Sequence, residues 1–217
     1  MAAACLTTLT TAALVLALLL ALTRRSASVW IFKPLASLGF VTTTWLHGGA
    51  ESPYGRAILA AQLLGLVGDI CLLVPGETAF RAGLGTFLLG HLGLIAAFSR
   101  LPLAAGQIGL MHLGLAQLAT LALSAPILRW LWPHLPAQLR APVLAYVGTL
   151  SAMLAVAMAV SLSPTTVHAR LLLGGAAAFY AADILVARDT FVRPRPINQL
   201  IGLPLYYGAQ LAFAWSF

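Results

Sequence analysis

Apolar residues gather along this chain in eight stretches, near 6–22, 29–46, 54–74, 80–99, 103–125, 142–162, 167–187 and 197–217. A helix needs about 20 apolar residues to cross a bilayer, so each stretch predicts a transmembrane helix. Turn formers punctuate the gaps: Gly48-Gly49 with Pro53, Pro75-Gly76, Pro102, Pro133 with Pro136, Pro164, and Pro194 with Pro196. The weakest break is Pro75-Gly76-Glu77. The expected fold class is an all-α membrane protein, a bundle of eight transmembrane helices forming a single integral membrane domain over 1–217.

The charged residues give the bundle a direction. Gaps after the odd-numbered stretches hold Arg24, Arg25, Arg81, Arg129, Arg140, Arg188, Arg193 and Arg195, against Arg56, Arg100 and Arg170 on the opposite side. Lys33 is set aside because it falls inside the second helix. Eight against three predicts that the odd-numbered gaps are cytoplasmic and both termini outside. The first stretch lacks a basic flank before it and has Arg24-Arg25 after it, which predicts a retained helix rather than a cleaved signal.

Composition agrees with this picture. The chain of 217 residues is 61% hydrophobic and 8% charged, whereas a soluble domain carries about 25% charged residues. Its net charge of +7 sits singly or in pairs between apolar spans, so it reads as an orientation signal and no nucleic-acid partner is expected. The partners expected are membrane lipids. Cys5 and Cys71 both fall in apolar sequence without a CxxC spacing, which predicts no disulfide.

Two of the five acidic residues, Asp69 in the third stretch and Asp183 in the seventh, lie at membrane depth. An intramembrane carboxylate is costly unless it faces a cavity or a partner, which makes it a functional candidate by default. Both fall near the ends of their helices, toward the same predicted cytoplasmic side. Lys33 lies just inside the second helix on that side, Asn198 and Gln199 open the eighth, and His91 lies near the middle of the fourth. At about 1.5 Å rise per residue these groups predict one polar pocket in the cytoplasmic half. Asp69 and Asp183 each precede an aliphatic run, a charged turn and a further helix, one bearing His91 and the other Tyr206, Tyr207 and Gln210. That order hints at a parallel repeat of helices 3–4 and 7–8.

Two carboxylates on one low-dielectric cavity cannot both ionise cheaply. One then stays protonated and serves as an acid while the other stays anionic, a pattern suited to hydrolysis through an oxocarbenium-like cation. The plain structural alternative pairs each Asp with Lys33 or an Arg to lock helix packing. Lys33 could hold a lipid phosphate or extend to the interface. His91 could orient a carboxylate, relay a proton, bind phosphate or simply bond helix to helix, and His112 reads as structural. Neither HExxH nor GxSxG occurs; no metal and no cofactor are expected, although an Asp69–His91–Asp183 ligand set is geometrically possible. Ser37, Ser124, Ser151 and Ser161 read as small packing residues, and the glycines of the fourth and seventh helices as close-packing positions.

The order of these features resembles the YhhN-type lysoplasmalogenase family of eight-helix membrane proteins. The resemblance rests on Lys33-Pro34, Gly68-Asp69 with trailing leucines, Phe80-x-x-Gly83-x-x-x-Phe87-x-x-x-His91, Asp183, and Tyr206-Tyr207-x-x-Gln210. It covers roughly residues 30 to 215. Ala182 stands where the family tends to have Ser beside the second acid, and Leu94 where an aromatic often follows the His. The resemblance implies hydrolysis of the vinyl-ether bond of a lysophospholipid, lysoplasmalogen, to a fatty aldehyde and glycerophosphoethanolamine or glycerophosphocholine. It carries the catalytic pair onto Asp69 and Asp183; Lys33, His91, Asn198, Gln199, Tyr206, Tyr207 and Gln210 are the residues expected to bind or orient the substrate. The expected location is the inner (cell) membrane of a bacterium. A proton-coupled transporter using the same acids as a relay, and a lipid-binding scaffold with two structural acids, are the competing classes.

Overall fold

The structure is a computed structural model, and it describes residues 1–101, 110–161 and 167–216. Among the described residues the expected eight helices are present: α1 (Ala2–Thr23), α2 (Val29–Leu46), α3 (Pro53–Cys71), α4 (Glu77–Phe98), α5 (Leu110–Leu131), α6 (Ala137–Ser161), α7 (Val167–Ala187) and α8 (Pro196–Ala214). A short 3₁₀ turn, Trp132–His134, extends α5, and a π-helical turn, Arg188–Val192, extends α7. Among the described residues six helical segments are long and apolar enough to cross a membrane, and the chain is a multi-pass integral membrane protein. α2, which carries Lys33, and α8, which carries Asn198, Gln199 and Gln210, stand outside that group.

Helix ends follow the local chemistry. Ser52 caps α3, its Oγ accepting from the Gly55 N–H at 2.9 Å, and Pro53 fills the first helical position, where no donor is needed. Gly76, at φ +121°, turns the chain between α3 and α4 in a region that side chains other than glycine rarely adopt. The Asp189 carboxylate accepts from the Arg195 N–H at 2.9 Å and so fastens the start of α8 to the π turn.

The fifth helix departs from the sequence reading. It was expected over 103–125, ending before Pro126; α5 instead carries Pro126 inside it and runs to Leu131. α6 likewise begins at Ala137 and contains Pro142. Proline is tolerated inside membrane helices because neighbouring groups can satisfy the freed carbonyl, so a proline there is a poor end marker. Arg129 and Arg140 therefore belong to helix ends rather than to the intervening turn. The expected start of helix 5 near 103, the turns at Pro102 and Pro164, and residue 217 lie outside the described residues.

The packing repeats between the two halves. α1 packs on α2 as α5 packs on α6, α3 on α4 as α7 on α8, and α4 meets α6 as α8 meets α2. The suggested kinship of helices 3–4 and 7–8 thus sits within matching arrangements of α1–α4 and α5–α8. One buried core, with Phe40, Phe98, Met153, Phe179, Tyr207 and Phe213 at its centre, joins the two sets.

Candidate active site

The sequence gives α3 and α7 one carboxylate each near their C-terminal ends, and the matching packing points both inward. Asp69 and Asp183 line one cavity of about 530 Å³, within the roughly 300–1,000 Å³ range of small-molecule sites. Leu18, Leu22, Leu72, Leu84, Ile127 and Val147 supply part of its apolar wall. At the end where α7 meets α8, Asp189, Thr190, Asn198 and Gln199 border it. Lys33 is the one Lys or Arg among its described lining residues.

Asp69 is enclosed, with a side chain only 3% exposed, and every contact it makes favours a negative charge. The Lys33 ammonium lies 3.2 Å from Oδ1 and donates to the Asp69 main-chain carbonyl at 3.3 Å. Ser37 Oγ, one helical turn beyond Lys33 on α2, donates to Oδ2 at 2.7 Å, and Tyr206 Oη from α8 donates to the same oxygen at 2.7 Å. Such short bonds to a charged acceptor are among the stronger hydrogen bonds in proteins. Behind Ser37, Tyr207 Oη lies 3.1 Å from both the serine hydroxyl and the Lys33 carbonyl.

Asp183 is surrounded differently. Its side chain is 15% exposed, and Tyr146 Oη from α6 donates to Oδ2 at 2.8 Å. His91 Nε2 from α4 lies 3.5 Å from that oxygen, while its Nδ1 lies 2.7 Å from the Phe87 carbonyl. Among the described residues Asp183 has no Lys or Arg within ion-pair distance. The partners mirror those of Asp69: each acid receives a group from the helix before it, α2 or α6, and one from the terminal helix of the other half, α8 or α4. Rings of Phe87, Phe179, Tyr206 and His91 pack edge to face between the two clusters.

The residues singled out in the sequence divide into two groups. Lys33, Asp69, Asp183, Asn198, Gln199 and Tyr206 line the cavity; His91, Tyr207 and Gln210 stand behind its wall. His91 and Gln210 border a separate void of about 10 Å³, and among the described residues Gln210 Oε1 is buried without a hydrogen-bond donor. Asn198 is buried; its amide donates to Asp189 and to the Arg193 carbonyl, and Gln199 donates to Asp189 at 2.9 Å. Sequence reasoning missed Ser37, Tyr146 and Asp189. Ser37 was recoverable, since the spacing from Lys33 puts it on the same helical face. Tyr146 had no such signal; its hydroxyl serves Asp183 where Ala182 cannot. Among the described residues no three His, Cys, Asp or Glu side chains come together as a metal-binding group.

A helical multi-pass membrane protein with two differently held carboxylates on one cavity is the class these features define. The chain belongs to the YhhN family, whose model matches residues 28–217. It is 36% identical over 160 residues to a protein of Mycobacterium tuberculosis named lysoplasmalogenase, covering 71% of this chain and 58% of that protein. It is 31% identical over 191 residues to human lysoplasmalogenase TMEM86B, covering 88% of this chain and 74% of that one, and 31% identical over 188 residues to the mouse protein of that name, covering 87% and 68%. The chain thus spans less than two thirds of the length of the mycobacterial relative. No solved structure matches it.

Proposed function

We propose that the protein is a lysoplasmalogenase-type hydrolase that cleaves the vinyl-ether bond of a lysoplasmalogen. The observation that carries this reading is the pair of carboxylates, Asp69 and Asp183, on one cavity with apolar walls; the names of the relatives favour the same reaction. The lipid enters with its alkenyl chain against the leucine-rich wall and its ether oxygen between the acids.

An acid delivers a proton to the vinyl carbon farther from the ether oxygen, and the electron pair of the C=C bond forms the new C–H bond. The carbon next to oxygen becomes an oxocarbenium ion, which an anionic carboxylate stabilises. Water adds to that carbon, giving up a proton to the carboxylate. The hemiacetal then collapses: its hydroxyl loses a proton, the glycerol oxygen gains one, and the C–O bond breaks. The products are a fatty aldehyde and glycerophosphoethanolamine or glycerophosphocholine, with both carboxyl groups returned to their starting states. Proton transfer by a positioned group contributes about 10²–10⁴-fold.

In this reading all eight helices cross the membrane, the gaps after odd-numbered helices face the cytoplasm, and the cavity opens toward the inner leaflet of a bacterial inner membrane. The distribution of arginines supports that orientation, and the polar border at Asp189, Thr190, Asn198 and Gln199 supports the position of the opening. The test is purified protein with lysoplasmalogens of both head groups, assayed for aldehyde. Release from either supports the reading; no release from both contradicts it.

A further inference from the structure

We infer that the two carboxylates are not interchangeable: Asp183 is the protonated acid, held by a tautomer-locked His91, and Asp69 is the standing carboxylate. This rests on the hydrolase reading for the step it serves, while the protonation pattern itself follows from donors and acceptors.

A main-chain carbonyl can only accept a hydrogen bond, so the 2.7 Å contact between His91 Nδ1 and the Phe87 carbonyl requires a proton on Nδ1. His91 is only 1% exposed, and such burial disfavours a charged imidazolium, so the ring is neutral and its other nitrogen, Nε2, carries a lone pair. Nε2 lies 3.5 Å from Asp183 Oδ2 and is buried with no hydrogen-bond donor addressing it among the described residues. An anionic Asp183 would set two acceptors against each other in a buried setting, with one Tyr146 hydroxyl as its sole hydrogen-bond donor and no Lys or Arg in ion-pair range among the described residues. A proton on Asp183 removes the conflict. The groups packed around it from α4 and α6 are His91 and Tyr146; neither supplies a permanent positive charge.

Asp69 shows the opposite balance. An ammonium and two hydroxyls address its oxygens, and among the described residues no acceptor opposes them. A proton there would displace the ion pair. Exposure agrees with the division, because the acid must touch the vinyl carbon and Asp183, at 15%, is more open than Asp69, at 3%. Asp183 gives its proton to the carbon, and Asp69, held in charge by Lys33, faces the cation and takes the proton from the attacking water. His91 does not line the cavity; it acts through Asp183 and is a positioning residue.

Infrared spectroscopy of the protein in lipid at neutral pH, with ¹³C-carboxyl-labelled aspartate, tests this without substrate. The chain has three aspartates, Asp69, Asp183 and Asp189, and a protonated one gives a carboxylic-acid C=O band separate from carboxylate bands. The expected result is one such isotope-shifted band in the wild type, retained in Asp69→Asn and lost in Asp183→Asn; either variant alone decides if the other fails to fold. The band should move to higher frequency in His91→Phe, which removes the acceptor. No band in the wild type, or a band lost in Asp69→Asn, overturns the assignment, and an unmoved band in His91→Phe overturns the part given to His91. Aldehyde release measured on the same samples separates the two ideas. Aldehyde with the band on Asp69 leaves a hydrolase with the roles reversed, whereas a band on Asp183 without aldehyde removes the reaction and Asp183's role in it.

Discussion

Replacing Lys33 by Met keeps the length of the side chain and removes the charge that Asp69 faces. The pair is 3.2 Å apart with both side chains largely out of solvent, which at an effective dielectric constant near 20 corresponds to an attraction of about 5 kcal/mol. Desolvation of both ions offsets part of it, but removing one partner strands the other, and such losses typically cost about 3–5 kcal/mol. The Ser37 and Tyr206 hydroxyls remain on Asp69 and hold the effect toward the lower end. Unfolding in mixed detergent should therefore show Lys33→Met destabilised by about 3 kcal/mol. Asp69→Asn in the Lys33→Met background should restore much of that loss, because no buried charge is left unpaired. A double-mutant cycle with a coupling of about 2 kcal/mol or more is expected. Additive effects would refute the reasoning, since the Lys33 ammonium would then not be what holds Asp69 as an anion.

Among the described residues Tyr146 has the one hydroxyl that donates to Asp183; in Tyr146→Phe a bond of about 1.5 kcal/mol is lost from the carboxylate that forms when Asp183 gives up its proton, which predicts aldehyde release slowed about tenfold, with a stability loss of no more than about 1.5 kcal/mol in the same unfolding assay. Ser37→Ala strips one short bond from Asp69 and leaves Tyr207 Oη with the Lys33 carbonyl alone, so a stability loss of about 1–3 kcal/mol is expected in the same unfolding assay. At Gly68 a Cβ would stand 2.6 Å from Phe87 Cε2. Gly68→Ala should therefore cost about 1–3 kcal/mol by overpacking, and Gly85→Ala, where nothing lies within 4 Å of the new Cβ, should leave the melting temperature nearly unchanged.

The two acids were legible because charge inside an apolar run stands out in any sequence, and their shared depth followed from helix counting alone. What surrounds them was less visible. Ser37 and Tyr146 are hydroxyls in apolar helices, indistinguishable in composition from Ser124 or Tyr180, which bond to each other on another part of the cavity wall. Their roles come from which helices meet, and that is set by the packing of α2 on α3 and of α6 on α7. His91, Tyr207 and Gln210 announced themselves as polar, yet periodicity cannot tell a side chain on the cavity wall from one behind it. The end of α5 falls at Leu131 rather than near 125, because the end of an apolar run need not be the end of a helix. Asp189 was passed over because it lies in a charged turn, where a carboxylate is ordinary; its hydrogen bonds to Asn198 and Gln199 appear only once the π turn folds against α8.

The most direct measurement is the rate of fatty-aldehyde release from a lysoplasmalogen by the purified wild-type protein beside Asp69→Asn and Asp183→Asn, each checked for folding. Release by the wild type and a fall of at least about 100-fold in each variant is the predicted result. Wild-type rates in either variant, or no aldehyde from the wild type with both head groups, would contradict the claim that these two carboxylates break the vinyl ether.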